Sequence, residues 1–171
     1  RGAERGRGRV GRELTDAAKK VIAKADPAGC RIGLPWDAVC AKEFKAHAEI
    51  VVVPVTAVPD DRMMLDVGPD TATALENLLE DYKTLVWNGP LGAFETPPFD
   101  DATNRVARKA AALVKTDKLL AVAGGGDTVA ALAHAGVVDD FSYVSTAGGA
   151  FLEWLEGRPL PGVVALEAAA E

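Results

Sequence analysis

Apolar residues along this chain gather in short runs separated by longer amphipathic stretches, the pattern of strands alternating with helices. Residues 14–25 (LTDAAKKVIAKA) put Leu14, Ala18, Val21, Ile22 and Ala25 on one helical face, with Thr15 or Asp16 near the start. An apolar stretch at Ile32–Leu34, expected to be a strand, is separated from Ala38–Ala41 by Pro35. Residues 49–53 (EIVVV) end at Pro54 and read as a buried strand, and Arg62–Val67, closed by Gly68-Pro69, reads as another. A helix is predicted from Asp70 to Tyr82 with Leu75, Leu78 and Leu79 inward.

The later half repeats one pattern three times. Thr84–Trp87 is a strand, followed by a Gly/Pro loop (NGPLGAFETPP) and a helix over Phe99–Lys115. Leu119–Val122 is a strand, then GGGDT, then a helix to Ala135. Tyr143–Ser145 is a strand, then TAGG, then a helix to Glu156. Strands alternating with helices in this way predict parallel βαβ units and an α/β fold. In such sheets ligands bind at the carboxyl ends of the strands, where all three Gly-rich loops fall.

Composition narrows the class further. At 171 residues, 49% apolar and 6% aromatic, the chain has room for one domain with a real core, in the range of an Ala/Val/Leu-rich α/β protein. Its formal charge is −6, but residues 1–12 hold five Arg and one Glu, a net of +4, leaving −10 on the rest. An acidic body argues against nucleic-acid binding, which needs clustered cations, and the short Gly-laced head suits a disordered terminus. Cys30 and Cys40 form no C-x-x-C pair, and His47 and His134 lack companions at metal-ligand spacing, so no zinc site is expected. Two isolated cysteines suit a reducing cytoplasm. No apolar run or leader marks a membrane protein or a secreted one. The chain opens on Arg1 rather than Met, which suggests a piece or a processed product.

The three loops carry the candidate chemistry. In Ala123-Gly124-Gly125-Gly126-Asp127-Thr128, glycines let a backbone approach an anion, and the following helix offers free N–H groups at its positive end. Asp127 cannot bind phosphate directly, but can hold a Mg²⁺ that bridges phosphate oxygens. Thr128 can donate to a phosphate or cap the helix, and the bland alternative is an N-cap at Asp127. Thr146-Ala147-Gly148-Gly149-Ala150 offers N–H groups to a moving phosphoryl group, or is simply tight helix–strand packing. In Asn88-Gly89-Pro90-Leu91-Gly92-Ala93-Phe94-Glu95 a flat Gly/Ala surface can receive an adenosine, with Glu95 accepting from ribose hydroxyls; otherwise it is an irregular connection with an exposed acid. Neither G-x-x-x-x-G-K-[ST] nor a strand-linked G-x-G-x-x-G occurs.

VWNGPLGAFE (86–95), AGGGDTVAAL (123–132) and VSTAGGAFLEWLEG (144–157) resemble, in order and spacing, the motifs of phosphoglycerate kinases. GLPWDAVCAKEF (33–44), DVGPDT (66–71) and LPGV (160–163) resemble them too, so the likeness runs from Leu14 to Val164. The resemblance implies an incomplete Rossmann-like three-layer parallel sheet, part of that family's C-terminal domain. Residues 1–12 would be a basic, disordered head, 13–158 a partial nucleotide-binding domain and 159–171 a C-terminal tail. It also implies a glycolytic, cytoplasmic transferase that moves a phosphoryl group between 1,3-bisphosphoglycerate and Mg-ADP, giving 3-phosphoglycerate and ATP. Carried over by position, Gly89, Pro90, Gly92 and Ala93 would line the nucleoside site, Glu95 would bind ribose and Asn88 would reach the phosphates. Asp127 would hold Mg²⁺ through the nucleotide, Gly125, Gly126 and Thr128 would contact the phosphate chain, and Gly148 and Gly149 would be catalytic through their N–H groups.

Two departures stand out. Ala147 replaces the first of the family's usual three glycines, and the Arg/Gly head resembles the family only loosely. None of the three loops contains a Lys or Arg. In the family those cations come from segments that would precede Arg1, including the domain that binds 3-phosphoglycerate, so the isolated chain is expected to lack kinase activity. The parent enzyme is expected to be a monomer, with ATP/ADP as partner and neither nucleic acid nor membrane. Missing central strands would separate the Ile32 strand from Thr84–Trp87 and expose sheet edges, so cooperative unfolding is expected to be weak. A non-catalytic nucleotide-binding piece, a non-folding partial gene product and an RNA-binding head remain as alternatives.

Overall fold

A computed structural model of the chain describes residues 15–145 and 147–170. The basic head, Leu14, Thr146 and Glu171 lie outside the described residues. Helix α1 (Thr15–Ala25) forms where its periodicity predicts, but only Ala25 of its apolar face is buried, and Val21 remains 59% exposed. The Ile32–Leu34 stretch does not become a strand: residues 31–35 have no regular structure, and no described strand pairs with them. An apolar run is a strand only when a neighbour takes up its backbone hydrogen bonds.

The next three strands form an antiparallel sheet in the order β2-β1-β3, with β1 at Asp37–Ala41, β2 at Ile50–Pro54 and β3 at Met63–Val67. Every residue of β1 is buried, because Ala38 and Cys40 pack on Val58 while Val39 and Ala41 face Ala48 and Phe99. β2, expected to be buried, is instead an edge strand whose residues alternate between exposed and half-buried.

The second sheet is parallel, in the order β4-β5-β6, with β4 at Thr84–Trp87, β5 at Leu120–Gly124 and β6 at Tyr143–Ser145. Helices α2 (Pro69–Asp81), α3 (Asp101–Lys115) and α4 (Gly126–Ala135) cover one face. The core there joins Leu79, Trp87, Val106, Ala110, Ala121, Ala123 and Leu132. On the opposite face Val86, Leu120 and Tyr143 stay exposed, as expected of a Rossmann-like parallel sheet that is incomplete. Helix α5 (Gly148–Leu155) follows β6, and a further helix, α6 (Pro161–Ala170), occupies the expected tail. Proline at its first position, where the missing N–H costs nothing, was the signal for α6.

Two carboxylates of the antiparallel sheet join it to the helices. Neither α2 nor α3 has a side-chain hydrogen bond from its own N-cap, Gly68 or Asp100. Instead Asp37 of β1 accepts the Asp70 and Thr71 N–H groups of α2 at 3.0 and 2.9 Å. Asp66 of β3 accepts the Ala102 N–H of α3 at 3.0 Å. Each buried acid thereby satisfies donors that the first helical turn leaves free. Among the described residues no helix is long and apolar enough to cross a membrane.

Candidate nucleotide site

The loops after β4, β5 and β6 meet at the carboxyl end of the parallel sheet. The Gly89 N–H donates to Thr128 Oγ1 at 2.7 Å, joining the first loop to α4. Gly125 has φ +105°, a conformation that favours glycine, and its N–H donates to the Ser145 carbonyl at 3.2 Å. Gly148 lies so close to this loop that a Cβ would sit 2.3 Å from the Gly125 Cα. The space beside Gly126 and Gly149 is open, and Asp127 is exposed.

A groove of about 440 Å³ opens beside the first loop, with Met64, Leu65 and Asp66 of β3 facing Pro90, Gly92 and Ala93. The Ala93 N–H donates to the Leu65 carbonyl at 2.8 Å, and the Leu91 N–H donates to Thr103 Oγ1 at 3.0 Å. Phe94 is buried, which turns the exposed Glu95 outward next to it. A second groove, of about 350 Å³, has Gly33 on one wall and Leu85 to Gly89 on the other, lying along β4.

The structure gives several of the sequence-derived residues a specific place. Asn88, Gly89, Gly125, Gly126 and Asp127 come together, and Pro90, Gly92 and Ala93 line the larger groove. Thr128 is 1% exposed and its hydroxyl accepts from the Gly89 N–H, so its side chain joins the first loop to α4. Gly125 is the N-cap of α4, so Asp127 sits inside the first turn and the bland N-cap alternative fails. Its carboxylate makes no hydrogen bond or ion pair with another described residue. Gly148 is held by backbone packing against Gly125, leaving Gly149 as the open glycine. Ala147 has φ −92°, a region open to any residue, so its methyl brings no left-handed strain.

Sequence reasoning missed Met64, Leu65 and Asp66 as groove residues, because β3 reads only as a core strand. Burial pushes the Asp66 carboxyl up to about 7, against the pull of the Ala102 and Val67 N–H groups, and nearby Asp101 and Asp100 add to the rise. Burial also works against the Asp37 charge, but hydrogen bonds from Thr71 and Asp70 win and hold it below the usual range. Among the described residues no three His, Cys, Asp or Glu side chains cluster around a common point. Asp127 therefore fits a metal only if phosphate oxygens complete the shell, which suits Mg²⁺ carried on a nucleotide.

The phosphoglycerate kinase family model matches residues 1–158. The chain belongs to the phosphoglycerate kinase family. The match takes in the Arg-rich head, so the family likeness reaches further than the motifs alone indicate. Similar relatives include the phosphoglycerate kinase of Zymomonas mobilis, 59% identical over 167 residues, which cover 98% of this chain and 42% of that protein. The phosphoglycerate kinase of Sphingopyxis alaskensis is also 59% identical, over 168 residues and the same shares. The solved phosphoglycerate kinase of Coxiella burnetii superimposes with a TM-score of 0.85 at 38% identity, over 92% of this chain and 40% of that one. The chain thus spans about two fifths of the length of the phosphoglycerate kinases it matches.

Proposed function

We propose that this chain is the nucleotide-binding part of a cytoplasmic phosphoglycerate kinase and binds Mg-ADP and Mg-ATP where the three loops meet. The observation that carries the reading is the convergence of Asn88, Gly89, Gly125, Gly126 and Asp127 beside the groove lined by Pro90, Gly92 and Ala93. The groove lined by Leu65, Gly92 and Ala93 takes the base, and Glu95 accepts from ribose hydroxyls. Asn88 and the N–H groups at Gly126 and Thr128 face the phosphates at the positive end of α4, while Gly125, whose own N–H goes to the Ser145 carbonyl, shapes the loop. Mg²⁺, when bound, neutralises phosphate charge, and Asp127 is its protein ligand. Open at its Cβ side, Gly149 presents its N–H to the transferred group, and Gly148 fixes that loop against Gly125.

In the whole enzyme these parts serve reversible phosphoryl transfer between 1,3-bisphosphoglycerate and Mg-ADP, giving 3-phosphoglycerate and ATP. The chain alone binds nucleotide without turnover, because its loops supply no cation for the transferred group. A thermal melt with and without Mg-ADP tests this reading. The expected result is a rise in midpoint with Mg-ADP that Asp127→Ala removes, together with no ATP formation from 1,3-bisphosphoglycerate. An unmoved midpoint at millimolar Mg-ADP would overturn nucleotide binding, and measurable ATP formation would overturn the inactivity.

A further inference from the structure

We propose that Asp66 is a positioning residue for the nucleoside groove, fixing the first turn of α3 and, through it, the wall formed by Leu91, Gly92 and Ala93. This deepens the nucleotide reading above and rests on it. Asp66 Oδ2 accepts the Ala102 N–H at 3.0 Å, and the next residue, Thr103, accepts the Leu91 N–H on its hydroxyl at 3.0 Å. Gly92 lies directly on the same carboxylate, where a Cβ would come within 2.3 Å of Oδ1. Ala93, in turn, donates to the carbonyl of Leu65, the neighbour of Asp66 in β3. Leu91 is thus referred back to Asp66 through α3 and Gly92 through direct packing, while Ala93 is tied to the neighbouring residue of β3.

The helix has no substitute for this anchor, because its N-cap Asp100 makes no side-chain capping bond. Water does not replace it either: Asp66 is 5% exposed and Thr103 fully buried. The two oxygens of Asp66 accept two N–H groups, those of Ala102 and Val67, which an apolar side chain filling the same space would leave without partners. Asp37 plays the matching part for α2, but its helix carries no loop of the groove. That difference sets Asp66 apart as the acid whose position sets the Leu91–Gly92 part of the wall, Ala93 being held by Leu65 directly.

The test is amide hydrogen exchange on the full chain, joined to adenosine affinity from ligand-observed NMR, for Asp66→Asn, Thr103→Val, Thr103→Ser and Asp66→Ala. Asp66→Asn and Thr103→Val are expected to speed exchange of the Leu91 N–H about tenfold while Val122 in β5 keeps its protection. Thr103→Ser, which retains the hydroxyl, is expected to match the unsubstituted chain. Adenosine affinity should fall about tenfold in the first two variants and stay unchanged in Thr103→Ser. Leu91 exchange unchanged in folded Asp66→Asn and Asp66→Ala chains, the second of which keeps no acceptor for Ala102, overturns the proposal. Where Asp66→Asn loses Val122 protection, the threonine pair decides: exchange and affinity that fail to separate Val from Ser overturn it. Leu91 exchange that responds as expected in a chain with no adenosine affinity overturns the nucleotide reading instead, and reduces Asp66 to a helix cap.

Discussion

The Gly89 N–H and the Thr128 hydroxyl, 39 positions apart, form a 2.7 Å hydrogen bond that holds the end of β4 against the first turn of α4. The threonine is buried and the glycine partly so, hence losing the acceptor leaves an N–H without a partner. Thr128→Val is expected to destabilise the chain by about 1–3 kcal/mol and to reduce the midpoint gain from Mg-ADP. Thr128→Ser should do neither. Urea unfolding with and without nucleotide checks both, and a valine variant as stable as the serine one would count against the linkage.

Gly148 and Gly149 are adjacent yet meet different surroundings. An alanine at 148 drives its methyl into the Gly125 backbone, while one at 149 enters open space. Gly148→Ala is expected to cost about 1–3 kcal/mol and to weaken Mg-ADP binding, because the β5 loop must move. Gly149→Ala should leave the melting midpoint unchanged. Equal midpoints for the two variants would refute this difference in packing.

Stability should depend on pH through two acids with opposite signs. Asp66 is raised to about 7 in the folded chain, chiefly by burial. An unfolded aspartate titrates near ~3.9, so between these values the folded chain keeps a proton that the unfolded chain has released. The Asp66 contribution therefore falls as pH rises through that window. Asp37 is lowered despite its burial, through Thr71 and Asp70, so its contribution is present above about 3.9 and lost as pH falls through its folded value. Urea midpoints measured from acid to neutral pH should lose the downward slope in Asp66→Asn. A slope identical to that of the unsubstituted chain would show that another group titrates there.

The uncovered face of the parallel sheet should be visible in solution. Leu120 is 54% and Tyr143 60% exposed there, and the groove beside β4 separates that strand from Gly33. The chain is expected to bind a hydrophobic dye in buffer and to unfold over a broad range, since exposed apolar surface and unpaired edges reduce cooperativity. Leu120→Lys should lower dye binding with little change in the unfolding midpoint. A sharp, reversible melt without dye binding would mean that this face is covered.

Much of the α/β half was legible in the sequence, because its signals are local. Thr84–Trp87 forms a strand with the predicted limits, and each Gly-rich loop falls between a strand and a helix where alternation placed it. Loop length carried a further signal left unread: the eight residues 42–49 between β1 and β2 are too few for a parallel crossover. That was enough to foresee an antiparallel pair. Ile32–Leu34 misled because an apolar run announces a capacity to be buried, and no neighbouring strand realised it.

What the sequence by itself determined is therefore the alternating strands and helices from Thr84 to Leu155, the positions of their loops and the family motifs. The tertiary structure alone decided that Thr128 turns inward to Gly89, that Gly148 rests on Gly125, and that Asp66 holds Ala102 beside the groove. The physical reason is separation along the chain. Periodicity reports which face of a segment is apolar, whereas a hydrogen bond between residues 36 or 39 positions apart exists only once packing brings their elements together.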